Sequence, residues 1–454
     1  MSDAARTGAG IALLAGCMAA FAAERPGFAA HRYDEDWRSY CAHARQPGSH
    51  DRIKCLSPGD ATLISVGGEW RERIEAVDAP DFGIDARSDA YILHRGLLHA
   101  DLRHDEWLRG FVQLGSLHQN GRAGGPAPTD ADDVDLQQGF VDLSALIGSV
   151  RARLRTGRQE MSLGSSRLIS ARESPNARRA FDGVQLRLSL GRDAIDAFHL
   201  RPLTIEPGAF DNRRQDNERL RGLQWTRTGD GHSVEIYYLE LERPRVSYAG
   251  GRADEHRRSL GSRLSGHHGR ADWNFELVAQ SGDWGLQRIR AWTVASDSGY
   301  TLGDLPTRPR LSLKLNVASG DGDADDATLR TFNALYPNPT YFSEASLVAP
   351  ANIVDVQPTL TLSIGTQSRL TCGWDFLWKH RRADAVYAPP GTPLAGSAGG
   401  HRFIGDQVHL GLMHAPSPSW QLRTAWVHFN AGDAVQQAGG DDVNYWTASA
   451  AYRF

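Results

Sequence analysis

From Ala61 to Phe454 the sequence falls into about eighteen segments of roughly 9 to 15 residues in which apolar and polar residues alternate, the period of a strand with two unlike faces. The clearest are Ala61–Val77, Ala90–Arg103, Leu108–Leu117, Val150–Met161, Val184–Leu190, Trp273–Gln280, Leu311–Ala318, Leu370–Lys379, Gln407–Met413 and the closing YWTASAAYRF. In that last segment Trp446, Ala448, Ala450, Tyr452 and Phe454 share one face, while Thr447, Ser449 and Arg453 share the other. Such a strand has lipid on one side and water on the other. The connections alternate as well. HQNGRAGGPAPTDADD and GSSRLISARESPNARRA are long, HDE, GRD, GDG, HHGR and SPS are tight, and Gly320–Asp355 is the longest. A meander with long connections at one end and short ones at the other predicts an all-β, 18-stranded antiparallel transmembrane barrel with short periplasmic turns and long extracellular loops. No run of 18 or more apolar residues lies beyond the N-terminus, so no helical span competes with this reading.

The N-terminus reads as an address. Arg6 precedes the apolar stretch GAGIALLAGCMAAF, and cleavage after Ala22 gives a signal peptide at 1–22. LAGC, ending at Cys17, is an alternative lipoprotein cleavage site. Residues 23–60 are then a periplasmic segment and 61–454 the barrel. Export makes a Cys41–Cys55 disulfide the expected state of that pair, since the compartment oxidises and the intervening loop is short. Cys372 shares its parity with Leu370, Trp374 and Phe376 and is expected to face lipid.

Of the 50 basic residues, 47 are arginine. In VRARLRTGRQE the apolar parity sends Arg151, Arg153 and Arg155 into the lumen together. The same argument sends Glu69, Arg71 and Arg73 inward, and with them Arg95, His99 and Asp101. Arg109, Arg158, Arg187, Arg263 and Arg423 are further candidates. Two readings stand: interstrand ion pairs that stiffen the wall, and a cationic belt that draws anions through a pore. The third long connection carries Arg167, Arg172, Arg178 and Arg179, which either lie on the anionic outer surface or fold into the mouth as a constriction.

Nothing points to catalysis, a cofactor or a metal. His232-Ser233 and His267-His268 sit in short turns without a third partner, and GDGDADD lacks a glutamate at its twelfth position, where Phe332 stands.

LISVGGEWRERIE, LHRGLLHADLR, LRTGRQEMSLGSSRLIS, ESPNARRAFDGV, TFNALYPNPTYF and ANIVDVQPTLTL closely resemble the alginate export family of bacterial outer-membrane proteins. The resemblance runs from about Leu63 to Phe454. It implies an 18-stranded barrel with an arginine-rich pore for the anionic polysaccharide alginate. The expected function is therefore passive passage of such a polysaccharide or its fragments; the alternative is an anion-selective porin for uptake of other small anionic or aromatic nutrients. Expected partners are outer-membrane lipid and lipopolysaccharide, the anionic solute, the barrel-assembly machinery and periplasmic export components, with no nucleic acid.

Overall fold

The structure, a computed structural model, describes residues 25–43, 51–84, 88–303 and 305–454. The signal peptide and Cys17 lie outside the described residues. The wall consists of eighteen antiparallel strands. They run as β1 (Thr62–Val77), β2 (Asp89–His104), β3 (Leu108–Asn120), β4 (Asp132–Ile147), β5 (Val150–Glu160) and β6 (Ala180–Leu190). Then follow β7 (Asp193–Thr204), β8 (Arg219–Thr228), β9 (His232–Tyr248), β10 (Gly251–His268), β11 (Ala271–Trp284) and β12 (Gln287–Thr301). The last six are β13 (Arg310–Ala318), β14 (Ile353–Ile364), β15 (Ser368–Lys379), β16 (Phe403–Ser417), β17 (Trp420–Ala431) and β18 (Val443–Arg453). Each pairs with its neighbours in sequence, and β18 pairs with β1 from Glu69↔Arg453 to Val77↔Tyr445. The sheet therefore has no free edge, as a wall in hydrocarbon requires.

Parity is as the sequence predicts. Trp70, Leu98, Leu260, Leu277 and Leu311 stand exposed on the outside, while Glu69, Arg71, Arg73, Arg95 and His99 are buried within. Cys372 is exposed beside Trp374 on the outer face. At the seam a pair of glycines admits what side chains would exclude. A Cβ on Gly68 would lie 2.5 Å from the Leu97 carbonyl oxygen and 2.6 Å from the Phe454 ring.

Loop length segregates less cleanly than expected. The connections at 249–250 and 285–286 are two-residue turns although they belong to the extracellular end. The physical reason is a substitution of cover: in the connection after β13, Thr328–Leu329 pairs in parallel with the start of β12, at Arg288 and Ile289. On the periplasmic side, the connection at 302–309 is longer than a turn, held compact by Leu302 N–H donating to Pro309 O at 2.7 Å.

The connection predicted to lie outside, Gly320–Asp355, does so only at its tip. Gly322, Asp323, Asp325 and Ala327 are exposed, whereas Thr331, Phe332, Leu335 and Tyr336 are buried inside the barrel. The acidic run is tethered by Arg330, which pairs with Asp321 at 3.2 Å and Asp326 at 2.8 Å. In a Cys372→Ser background, Asp325→Cys should react with a membrane-impermeant maleimide on intact cells and Thr331→Cys should not; equal labelling of both would contradict the inward fold of this loop.

Candidate functional site

The lumen of an 18-stranded barrel is too wide for wall side chains to fill, and three segments enter it. The first is N-terminal. Expected to hang in the periplasm, it instead rises into the barrel along β1 to β5, because the inward face there offers both charge and aromatic rings. Phe111 and Phe140 stack at 5.2 Å, and Tyr33 sets its edge on both, at 6.1 and 5.5 Å. The Arg155 guanidinium lies 4.4 Å from the centre of the Tyr33 ring and 3.8 Å from that of Phe140. Tyr33 donates its hydroxyl proton to Glu160 O at 3.0 Å, and His31 meets the Glu160 carboxylate at 3.1 Å. Cys41 and Cys55 form the expected disulfide. Beyond it, Lys54 is buried and donates to Phe454 O at 3.1 Å, the oxygen that Arg32 also reaches. Burial lowers the Lys54 ammonium to about 8. The segment is thus stitched to the closing seam of the wall.

The second is the basic connection at 161–179, which takes the constriction path. Leu163, Leu168 and Ile169 are buried against Phe181, Phe198, Leu200, Leu220 and Leu239 of the wall. Three of its four arginines, Arg167, Arg178 and Arg179, are bonded inside. Arg167 pairs with Glu276 at 3.0 Å and donates to the Tyr341 hydroxyl. Arg178 grips Glu160 through two hydrogen bonds of 2.8 Å, donates to Ala30 O and pairs with Glu173. Arg179 donates to Tyr336 O at 2.6 Å and lies 5.2 Å from the centre of that ring. Burial pushes the Arg179 pKa well down, and that of Arg172 to about 10. Arg172 is in the left-handed region at φ 56°, with its Nε unpartnered. The third segment, 319–352, packs on the second: Ile169 bridges to Tyr336, and Tyr336 meets Phe181 edge-on at 5.3 Å.

What stays open is a cleft of about 620 Å³ against β13 to β18 and β1. Seven basic side chains line it, against three acidic ones, Glu173, Asp297 and Glu344. Two of the seven, Arg369 and Arg423, are exposed to the cleft and have no carboxylate within ion-pair distance among the described residues. They sit in one row of the wall. Arg369 is registered with Met413, Met413 with Arg423, Arg423 with Ser449, and Ser449 with Arg73. An arginine therefore recurs on every second strand, at a spacing of about 10 Å. The adjoining rows are small and hydroxylic, with Thr359, Thr361, Thr371, Gly411, Thr447 and Ala451.

The predicted belt divides by partner. Arg71 donates to Glu173 O at 2.7 Å and lies 3.8 Å from its carboxylate; Arg73 pairs with Glu75 at 2.7 Å and Glu344 at 3.4 Å; both also line the cleft. Arg95 is fully buried between Glu69 and Glu173. Arg109 pairs with Asp101 at 2.7 Å and donates to Tyr33 O. Arg155 holds both oxygens of Asp142, at 2.7 and 2.9 Å. Arg151 is exposed at the periplasmic rim, 3.3 Å from Glu106, and Arg153 lines a separate cavity there with Arg38, Arg103 and Arg187. Arg158 departs from the pore assignment. It is registered with Gly139 and Asp182, on the parity of Leu154 and Val184, so it faces outward and pairs with Asp182 at 2.9 Å. Arg369 and Lys314 were not picked out by the sequence reading, although parity with Thr371 and Gly373 sends Arg369 inward. Among the described residues no cluster of His, Cys, Asp or Glu could hold a metal ion.

Arg155→Gln removes the bidentate partner of Asp142, which is 2% exposed, and should cost about 3 kcal/mol. Arg153→Gln should change stability by less than about 0.5 kcal/mol. The heat-modified gel shift of the two purified barrels compares them; similar midpoints would contradict the division between paired and unpaired arginines.

The comparisons with known proteins follow this geometry. Three proteins are among the solved structures that share this fold. Acinetobacter baumannii OccAB1 has 12% identity and a TM-score of 0.59, with 89% of this chain and 99% of that one covered. Pseudomonas aeruginosa OccK2 (OpdF) has 11% and 0.58, with 86% and 97% covered, and OccK11 (OpdR) 12% and 0.56, with 86% and 96%. At these identities the likeness is one of fold. No curated protein sequence matches the chain. The model of the alginate export family matches residues 62–449, the whole wall up to the middle of β18, and the chain is a member of that family: an outer-membrane β-barrel of the channel type.

Proposed function

We propose that the protein passes an anionic polysaccharide of the uronate class, such as alginate or its fragments, along the β13 to β18 wall. The observation that carries this is the row Arg369, Arg423, Arg73, in which two of three guanidiniums lack an internal carboxylate and all face a wall of small hydroxylic residues. A guanidinium donates two parallel hydrogen bonds to a carboxylate and stays charged at any physiological pH. In water-like surroundings one such contact is worth about 1 kcal/mol at 4 Å, rising as the lumen lowers the effective dielectric. Attraction of that size holds each carboxylate briefly. A regular spacing lets the next guanidinium take over as the previous one lets go. Hydroxyls of Thr and Ser between the rows replace water on the sugar without gripping it.

The two filled sides of the lumen narrow the passage in this reading. The N-terminal segment blocks the β1 to β5 side from the periplasm, and the loops at 161–179 and 319–352 block the β6 to β13 side. A single polymer strand with a carboxylate on each sugar fits the remaining shape better than a bulky globular solute does.

Two outcomes are expected in planar bilayers. Arg369→Gln with Arg423→Gln should leave heat-modifiability unchanged, because no internal acid loses a partner, while anion preference falls, most strongly at low salt where screening is weakest. Unchanged reversal potentials and unchanged block by oligouronates would sink the assignment. Tyr33→Ala with Arg32→Gln removes the aromatic anchor and the seam bonds of the N-terminal segment, and conductance should rise severalfold; equal conductance would show that this segment does not limit the path.

A further inference from the structure

A second set of arginines faces the other way. On β10, β11 and β12, Arg258 is registered with Ser281 and Ser281 with Arg290. All three are exposed, and they alternate with the buried Arg257, Ser259, Gln280, Ile289 and Ala291, so they stand on the outer surface of the barrel. Two strand spacings separate the guanidinium stems by about 10 Å, with only a serine between them. Both long side chains can close over that gap on one tetrahedral anion.

Their height on the wall is defined by their neighbours. Immediately below on the same face lie Leu260, Ala279 and Trp292, then Leu277 and Val294. From Trp292 to Tyr300 on β12 the outward positions span four two-residue steps, about 27 Å along the strand and about 20 Å vertically at the usual tilt. That is close to the thickness of an outer-membrane apolar band flanked by aromatic girdles, with Tyr238 and Trp292 at its outer edge and Trp273 and Tyr300 at its inner edge. Arg258 and Arg290 therefore stand one step above the outer girdle, at headgroup level of the extracellular leaflet.

Asp283, exposed on the same face one step above Ser281 and registered with His256 and Arg288, makes no ion pair with Arg258 or Arg290 among the described residues, and the glutamates of β9 are shared with other bases. Glu240, 3.9 Å from Arg258, takes His256 at 2.7 Å and Arg221 at 3.4 Å. Glu242 takes Arg219 and Arg221, each at 3.3 Å. Arg290 has no carboxylate within ion-pair distance among the described residues, and Arg288, two positions above it, is also exposed. The two-residue connections at 249–250 and 285–286 add no long loop over this patch, and the connection after β13 pairs with β12 just above Arg290, at Arg288 and Ile289.

We propose that Arg258 and Arg290, across Ser281, form a binding site for a phosphate of the lipid A anchor of lipopolysaccharide, whose acyl chains lie on Leu260, Leu277 and Trp292. The chemistry asks for a phosphorylated group with apolar chains directly beneath it, and guanidiniums at girdle height above bare aliphatic wall supply both halves. The site is independent of the lumen and of the proposed passage.

The test uses the full exported protein in nanodiscs, with native mass spectrometry counting retained lipid. The wild type should keep one bisphosphorylated lipid A after release from the disc, and Arg258→Gln with Arg290→Gln should lower that retention at least tenfold. Lipid A stripped of both phosphates should be retained equally poorly by both proteins. Inorganic phosphate at millimolar concentration should not displace the lipid; displacement would assign the site to free phosphate and overturn the lipid reading. Equal retention of bisphosphorylated lipid by the wild type and the double variant would also overturn it. If the Gln pair yields no heat-modifiable barrel, Arg258→Lys with Arg290→Lys decides: about a threefold loss supports bidentate capture, and unchanged retention refutes it.

Discussion

Closure is the constraint on which everything else in this protein rests. In hydrocarbon no water satisfies a free backbone N–H or C=O, so the sheet must pair its first strand with its last. Eighteen strands are needed to bring β18 back to β1, and a ring of that size encloses more space than inward side chains can occupy. The lumen must then be filled by chain from elsewhere or left to water. Here both happen, on opposite sides. The apolar core of the molecule, with Ile169, Phe181, Leu239 and Tyr336, is built between one inner wall and two inserted loops, as a globular domain would build it.

The same constraint decides the fate of the arginines. A guanidinium buried beside inserted chain has lost its water and must find carboxylates and carbonyls, which Arg95, Arg155 and Arg178 do. These groups hold the inserted segments in register with the wall. A guanidinium that faces open lumen keeps its water and can dispense with an internal partner, as Arg369 and Arg423 do. Charge count alone cannot separate these roles, since the net charge of the chain is −4 and the positive excess of the cleft is local.

This marks how far the sequence could be read. Period two and turn chemistry are local, so strand count, parity and the outward position of Cys372 were legible from single segments. The Cys41–Cys55 pair was legible because export and spacing are both sequence properties. The destination of inserted chain depends on which inner surface is free to receive it, and that is a property of the closed ring. So Tyr33 looked like part of a periplasmic tail, although it sets its edge against the stacked Phe111 and Phe140, and Gly320–Asp355 looked like an outer loop, although only its tip is outside. Arg158 misled for a related reason. At the end of β5 the strand reaches the outer rim, where a polar residue on the lipid-facing parity is no longer in lipid and can pair with Asp182.

Under the proposed function, selectivity for a polymer rests on what the two filled sides leave behind. Had the lumen stayed empty, a single row of arginines would lie within a wide aqueous bore, and at distances beyond about 8 to 10 Å salt would screen its attraction almost completely. In that reading, filling the bore with inserted chain brings a solute close to the wall that carries Arg369 and Arg423. The paired arginines thereby serve the unpaired ones without touching the solute: by fixing the N-terminal segment and the two loops in place, they set the distance at which Arg369 and Arg423 act. A charge-neutral replacement in the glue would therefore alter passage through geometry, and one in the row through electrostatics, so stability and ion selectivity are the two observables that would tell them apart.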